Sequence, residues 1–230
     1  GAELVCRRAS HPRLRGFDSP QLHRLLSYRH IAVRVDYRNS VKNWTTRMIH
    51  WISFSAEVNQ QTSESLIAAL AALANQGATE VNLLLSTPGG NVMNGMNIYN
   101  IARALPFKLI TWNVGNVDSI GNVIFLAGTE RYAAPLSTFM FHGVGFDFQG
   151  SIRWEEKLLR EHLDSIDANH RRIGLIIQTY TQLNEGDVVD LFKEAQTKDA
   201  TWAERVGVIH AIREPEIPAG APVHSLVFQR

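Results

Sequence analysis

Residues 81–121 read VNLLLSTPGGNVMNGMNIYNIARALPFKLITWNVGNVDSIG, and this stretch decides the predicted fold. Two mainly apolar runs, at 81–85 and 109–114, are typical of strands buried on both faces of a parallel sheet. Between them, a Pro-Gly-Gly sequence predicts a turn, and residues 92–105 predict a helix. A crossover of this length returns the chain to the same edge of the sheet, so the two strands are predicted to run parallel.

The alternation of helix and strand continues on both sides of this stretch. On the N-terminal side, Thr62 is a candidate cap for a helix whose apolar stripe includes Leu66 and Leu70. On the C-terminal side, residues 119–127 predict a short helix and residues 137–142 predict a third strand. Helices that alternate with apolar strands predict an α/β domain built around a parallel sheet.

A long helix follows the third strand in the prediction. Ser151, Glu155 and Glu156 suit its first turn, and the helical pattern continues to about Tyr180. About thirty residues at the helical rise span about 45 Å, which exceeds the body of a small domain. Because an apolar stripe runs along this helix, its projecting part is expected to pack on another subunit. The stripe consists of Leu159, Leu163, Ile166, His170, Ile173 and Ile177.

The composition is that of a folded globular protein, with 230 residues of which 45% are hydrophobic and 20% are charged. A chain of this length buries about 70% of its unfolded surface, so its core needs neither disulfides nor a structural metal. The single cysteine, Cys6, forms no intrachain disulfide. The longest apolar run, residues 66–74, falls short of the about 20 residues that a membrane-spanning helix needs, so we expect no membrane partner.

The charge is uneven along the chain, because residues 1–50 contain ten Lys and Arg against three acidic residues. We interpret residues 1–44 as a poorly ordered basic extension. A transit-like targeting segment and an arm that binds nucleic acid are the alternatives, and we expect no nucleic-acid partner. The folded domain is predicted over residues 45–212, and residues 213–230, which contain three prolines, are predicted to be an irregular tail.

Ser119 is the first residue that could carry chemistry, because it lies at a predicted strand-to-helix corner. A serine there presents its hydroxyl at the carboxyl edge of the sheet, and the amides that follow it can stabilise an oxyanion. The structural alternative is that Ser119, or Asp118 beside it, only caps the helix.

Two further candidates also follow predicted strands. Gly89 and Gly90 let backbone N–H groups approach a ligand closely, which suits an oxyanion hole but also an ordinary tight turn. His142 closes the strand before a glycine-rich loop, so it is either a general base at the sheet edge or a satisfied core histidine. A single sheet would bring all three candidates to the same edge.

The order strand, Pro-Gly-Gly, helix, strand, Gly-x-x-x-Ser, helix, strand, His resembles the proteolytic subunit of the ATP-dependent Clp protease. The resemblance covers about residues 45–212. The stretches that carry it are residues 83–99, 115–128, 131–142 and 202–212. That family has the crotonase-like spiral fold of ββα units, so the resemblance implies this α/β fold, with the long helix from Ser151 as the family's projecting handle.

The resemblance implies a role for individual residues. Ser119 resembles the nucleophile, His142 the general base, and the amides of Gly90 and Ile120 the oxyanion hole. It further implies a serine endopeptidase that assembles as stacked homo-oligomeric rings and cleaves unfolded polypeptides delivered by a AAA+ ATPase. No metal or organic cofactor is implied. The expected location is the cytoplasm, or an organelle given the Arg-rich N-terminus.

The sequence departs from the family pattern at two positions of the expected site. The family's third catalytic residue is an aspartate, and its position falls on Ala195. The acids near that position are Glu194, Asp199, Asp190 and Asp187. Asp118 stands where the family has a small apolar residue, and we interpret its carboxylate as a helix cap.

Two other functions remain open at this stage. A structural ring subunit with impaired catalysis would assemble normally without cleaving peptides. An acyl-CoA enzyme shares the fold and the oxyanion hole, but it would need acidic residues over the thioester and a pocket for adenine. The order Ser then His, with no Gly-x-Ser-x-Gly motif, argues against an α/β-hydrolase.

Overall fold

The structure is a computed structural model that describes residues 47–146, 150, 153 and 155–228. The predicted basic extension at 1–44 and the predicted helix start at Ser151 lie outside the described residues. Among the described residues, no helix is both long enough and apolar enough to span a membrane.

Eight strands and six helices alternate along the described chain. The strands are β1 Ile49–Ser55, β2 Glu80–Thr87, β3 Lys108–Asp118, β4 Glu130–Ala133, β5 Thr138–Met140, β6 Thr197–Asp199, β7 Ala211–Ile212 and β8 Val223–Leu226. The helices are α1 Gln60–Asn75, α2 Val92–Ala104, α3 Gly121–Phe125, α4 Glu156–Tyr180, α5 Glu185–Glu194 and α6 Ala200–Arg205.

The strands form a single sheet in the order β6-β5-β3-β2-β1-β8, and β4 pairs with both β3 and β7. Every pairing is parallel except that of β5 with β6. The predicted α/β class with a parallel sheet is therefore confirmed. The carboxyl ends of β2, β3 and β5 lie side by side, which is the edge where sequence analysis expected the site.

The core lies between the sheet and helices α1, α2 and α3. Leu66, Leu70 and Leu73 on α1 are buried as the apolar stripe predicts, and the whole of α3 is buried. Helix α1 begins earlier than predicted. Its cap is Asn59, and Thr62 is the third helical residue, whose hydroxyl accepts from the Asn59 N–H in a capping box.

Strand β3 continues through the predicted turn at Gly115 to Asp118. Leu85 pairs with Asn113 and Thr87 with Val117, so β3 carries two more residues than β2 between these pairs. This bulge absorbs the glycine without ending the strand. It also carries the chain directly to Ser119.

The third predicted strand is shorter than expected, and a strand before it was missed. Strand β5 ends at Met140, so His142 lies two residues beyond the strand rather than at its end. Strand β4 covers four residues with alternating burial. The long helix begins at Glu156 and has 25 residues, or about 38 Å, instead of about 45 Å.

The C-terminal tail is not irregular throughout. Residues 223–226 form β8, which pairs in parallel with β1 at the edge of the sheet. Across this pair, His224 Nε2 lies 3.4 Å from His50 Nδ1. The tail also returns Ala221 to the cluster formed by Trp51 and Trp112 on the sheet. The C-terminal residues therefore complete one edge of the domain.

Candidate active site

Ser119 lies at a sharp corner between β3 and α3. Its φ angle is 56°, in the left-handed region that non-glycine residues rarely adopt. Its N–H donates to the carbonyl of Met140 at 2.8 Å, which fixes the corner against β5. Such strained serines at strand-to-helix turns expose the hydroxyl at the carboxyl edge of the sheet.

Gly89 makes the close approach to Ser119 possible. A Cβ atom at position 89 would lie 2.6 Å from Ser119 Cβ and 3.2 Å from Ser119 Oγ. Its φ of 87° is also in the region that favours glycine. The second residue of the expected pair, Gly90, faces Val58, where a Cβ would lie 2.3 Å from the Val58 carbonyl oxygen. The Pro-Gly-Gly sequence is therefore a close-packed wall of the site.

Two backbone amides of the site have no partner in the described part of the chain. Val58 is bridged to Gly90 through bonds that use the carbonyl of Gly89 and the N–H of Asn91, so the Gly90 N–H is left unused. The Ile120 N–H precedes the first hydrogen-bonded turn of α3 and makes no backbone hydrogen bond. Gly90 and Ile120 line the same cleft as Ser119.

Asn122, which sequence analysis missed, stabilises the Ser119 corner through two side-chain hydrogen bonds. It is 1% exposed, and its Nδ2 donates to the carbonyls of Ser119 and Met140 at 3.1 and 2.9 Å. Its Oδ1 is buried and has no partner among the described residues. The sequence held no signal for this role, because an asparagine in a short helix resembles any polar residue.

His142 lies in the exposed loop after β5 and lines the same cleft as Ser119. The two side chains make no hydrogen bond with each other in the described structure. Candidate general bases often reach the nucleophile only when substrate is bound, so the shared cleft is the relevant observation. The cleft has a volume of about 300 Å³.

The third residue of a catalytic triad has no acidic occupant in the described structure. Strand β5 pairs with β6 so that Met140 lies opposite Thr197. Extended by two residues past its last pair, this register would set position 195 across from His142, and position 195 is alanine. Ala195 has a φ of 49° and caps the end of α5. The position that the resemblance assigns to an aspartate therefore carries no carboxylate.

Three of the four acids near that position have other hydrogen-bond or ion-pair partners. Asp199 Oδ1 accepts from the Trp202 N–H at 2.7 Å as the cap of α6. Asp187 accepts from the Asn184 N–H at 2.9 Å in the capping box of α5. Glu194 pairs with Lys198 at 3.2 Å. Asp190 is exposed on α5. Among these described residues, no acid accepts a hydrogen bond from His142.

Asp118 does not cap a helix, contrary to the expectation. Helix α3 begins after Ile120 without a side-chain cap, and Asp118 is the last residue of β3. Its carboxylate accepts from Asn116 Nδ2 at 2.6 Å. The Asp118 charge is therefore directed into the bulge of β3.

The apolar lining of the cleft comes from helices α4 and α5, which sequence analysis did not place at the site. Ile173 and Ile177 of α4 were assigned to a stripe facing another subunit, yet both are buried in this domain and line the cleft. Phe192 of α5 joins them. By contrast Leu159 and Leu163, near the start of α4, are 45% and 60% exposed, as the stripe predicts. No group of three or more His, Cys, Asp or Glu in the described ranges could hold a metal ion.

The fold and the cleft define a class: an α/β protein with the parts that serine hydrolases use. These parts are a serine in a strained corner, a histidine that lines the same cleft, and two backbone amides without a partner among the described residues. A sequence profile of the Clp protease matches residues 37–216 of this chain. The chain therefore belongs to the Clp protease family.

Similar proteins agree with this assignment. The Clp protease proteolytic subunit 1 of Mycobacterium tuberculosis is 32% identical over 94 residues, which are 40% of this chain and 47% of that protein. The corresponding subunit of Corynebacterium jeikeium is 32% identical over 101 residues, or 41% of this chain and 54% of its own length. The matched stretch thus spans about half the length of these curated relatives.

Solved structures show the same fold. A ClpP1 point mutant from Listeria monocytogenes is 19% identical with a TM-score of 0.62, over 72% of this chain and 92% of that one. The catalytic domain of the ClpP protease from Plasmodium falciparum is 20% identical with a TM-score of 0.58, over 74% and 87% of the two chains. The predicted spiral α/β fold is confirmed by these similarities.

Proposed function

We propose that this chain is a serine endopeptidase subunit in which Ser119 is the nucleophile and His142 the general base. The observation that carries the proposal is the strained Ser119 corner, which shares one cleft with His142 and with the unused amides of Gly90 and Ile120. Family membership supports the same reaction class.

The reaction proposed is acyl transfer. His142 accepts the proton of Ser119 Oγ while the oxygen attacks the peptide carbonyl carbon. The Gly90 and Ile120 amides donate to the oxyanion of the tetrahedral intermediate. The intermediate collapses, the leaving amine takes the proton from His142, and an acyl-enzyme remains on Ser119. Water, deprotonated by His142, then releases the carboxylic acid and restores the serine.

The proposed substrates are unfolded polypeptides delivered by a AAA+ ATPase into a chamber of stacked rings. The apolar wall of the cleft, formed by Val92, Ile173 and Phe192, suits an apolar side chain next to the cleaved bond. The exposed Leu159 and Leu163 near the start of α4 support a contact between rings, because apolar side chains on a solvent-facing helix need a partner surface.

The test is labelling of the assembled protein with a fluorophosphonate, read by mass spectrometry of the intact chain. The proposal predicts one adduct per chain and none in Ser119→Ala. Sedimentation of both proteins shows whether they assemble alike. An assembled wild-type ring that takes up no label would contradict catalysis by this chain.

A second candidate function is that of a ring subunit with impaired catalysis. It is favoured by the alanine across from His142 and by the other engagements of three of the four neighbouring acids. Loss of the orienting acid costs about 10⁴ in turnover in other serine peptidases, because the histidine tautomer is no longer fixed. This candidate predicts normal assembly with slow or undetectable labelling of Ser119.

A further inference from the structure

The loop that carries His142 is attached to α4 and α5 by its backbone. The N–H of Gly143 donates to the carbonyl of Phe192 at 3.1 Å. The N–H of Val144 donates to Nε2 of His170, on α4, at 2.8 Å. These two bonds hold the residues that follow His142 directly, so they determine where its backbone lies against the cleft.

His170 is packed tightly into this attachment. Its ring lies 5.1 Å from the ring of Phe192, with the planes tilted by 33°. A Cβ atom on Gly143 would lie 3.1 Å from His170 Nε2, so the imidazole is in close contact with the loop backbone. His170 itself faces the groove between α4 and α5, on the other side of the loop from Ser119. His170 therefore supports the loop on the side opposite Ser119.

We propose that His170 is a positioning residue for His142, acting through the Val144 N–H···His170 hydrogen bond. This inference rests on the proposed function of His142 as general base. Among the described residues, no acid accepts a hydrogen bond from His142. The position of His142 therefore depends more strongly on the hydrogen bonds that hold the backbone of its loop. Displacement of a reacting group by about 1 Å can lower a rate by about a hundredfold.

The bond requires a neutral His170. Because Nε2 accepts an N–H, it carries no proton, and the ring proton is on Nδ1. In a protonated ring both nitrogens carry a proton. Nε2 would then be a donor facing the Val144 N–H donor, and the hydrogen bond between them could not form.

The first measurement is the rate of fluorophosphonate labelling between pH 5 and pH 8 for three proteins. His170→Phe keeps an aromatic ring against Phe192 but has no acceptor, so labelling is expected to fall at least about tenfold at pH 8. His170→Gln keeps an acceptor that does not titrate, so labelling at pH 8 is expected to stay close to wild type. Equal labelling of His170→Phe and wild type would overturn the proposal.

The His170→Gln variant separates positioning from a general loss of stability. It restores a side-chain acceptor for the Val144 N–H without restoring the imidazole ring. Equal losses of labelling in His170→Phe and His170→Gln would therefore show that this hydrogen bond does not position His142.

The second measurement does not depend on catalysis. Hydrogen exchange of the fragment 141–146, corrected for intrinsic pH effects, is expected to be faster in His170→Phe than in wild type or His170→Gln. If wild type takes up no label but this difference is present, the proposed function fails and the attachment stands. If exchange is the same in all three proteins, the attachment fails whatever the labelling.

The control is His210→Phe. His210 Nδ1 also accepts a backbone N–H, that of Arg131 at 3.0 Å, but His210 is not among the residues that line the cleft. The same loss of an imidazole acceptor there is expected to leave both the labelling rate and the exchange of 141–146 as in wild type. A change equal to that of His170→Phe would mean that the effect is not local.

Discussion

The two sides of the cleft are built to different degrees. On the nucleophile side, the Ser119 N–H and carbonyl are both hydrogen-bonded, the carbonyl to Asn122. Gly89 packs closely against the Ser119 side chain. On the base side, His142 is exposed in a loop, and the residues that follow it are attached by two backbone hydrogen bonds. The position that the resemblance assigns to an orienting acid is Ala195. A strained serine persists only where the surroundings force it, whereas a histidine without an orienting acid retains its rotational freedom.

The contrast predicts which part of the proposed site limits the proposed reaction. The proposed oxyanion amides and nucleophile are held by the fold itself, so their contribution requires no reorganisation. The proposed general base, His142, is expected to be oriented anew in each cycle. Changes on the nucleophile side should therefore abolish the reaction, and changes on the base side should tune it in either direction.

The largest effect is expected for Gly89→Ala on the nucleophile side. The new methyl group would overlap Ser119 Cβ, and the backbone would be held at a φ of 87°, so the corner must open. We expect fluorophosphonate labelling to fall at least about a hundredfold. The matched control is Gly77→Ala, which has a φ of 80° but open space around the new Cβ. Equal labelling of the two variants would show that the contact with Ser119 is unimportant.

The next effect is expected on the base side, from Ala195→Asp. Aspartate tolerates the left-handed conformation of position 195 better than most residues, so the backbone should accept it. A carboxylate across from His142 would fix the tautomer, and labelling should accelerate by about 10 to 100-fold, part of the about 10⁴ that an orienting acid supplies. Ala195→Asn has the same shape without the charge. A faster rate in both variants would point to backbone effects instead.

An effect of acidification is expected far from the cleft, at the β1–β8 edge of the sheet. Burial, together with the neighbouring His224, lowers the pKa of His50. The unfolded chain binds a proton at about pH 6.5, before the folded chain does, so stability falls as the pH drops through this value. We expect the melting temperature to fall between pH 7.5 and pH 5.5, and to fall less in His50→Gln. An equal fall of the melting temperature in wild type and His50→Gln would exclude His50 at the β1–β8 edge as the source of the pH dependence.

The smallest effect is expected for Asp118→Asn. The carboxylate is directed to Asn116 in the bulge of β3, and it is half-exposed. A charge in this setting should change labelling by less than about fivefold, the equivalent of about 1 kcal/mol. A gain of tenfold or more would instead mean that the charge opposes the oxyanion.

The parts of the fold that the sequence predicted share a strong local pattern. Strands β2 and β3 are mainly apolar in their central residues, and α1 and α2 are periodic and capped, so neighbours along the chain determine them. Strands β6 and β8 have no such pattern. Three to four residues with exposed side chains pair only because distant strands offer them hydrogen bonds.

The same distinction holds for the site. Ser119 and Gly90 were predicted because each follows a strand, and parallel strands bring their carboxyl ends together. The role of Ile120 came from the family resemblance. Ile173 and Phe192 were not placed in the cleft because the direction in which a helix faces depends on packing rather than on its own stripe. The other engagements of the neighbouring acids likewise depend on caps and ion pairs that only the assembled fold defines.

The pairing of β8 with β1 has a consequence for biosynthesis. Strand β1 is made of residues 49–55 and its partner of residues 223–226, so the edge of the sheet stays open while the ribosome adds about 170 residues. Until then β1 exposes an unpaired row of amides and carbonyls beside Trp51. Contacts between such distant residues form slowly. The nascent chain therefore needs protection of this edge, and protein truncated before residue 223 is expected to aggregate through β1.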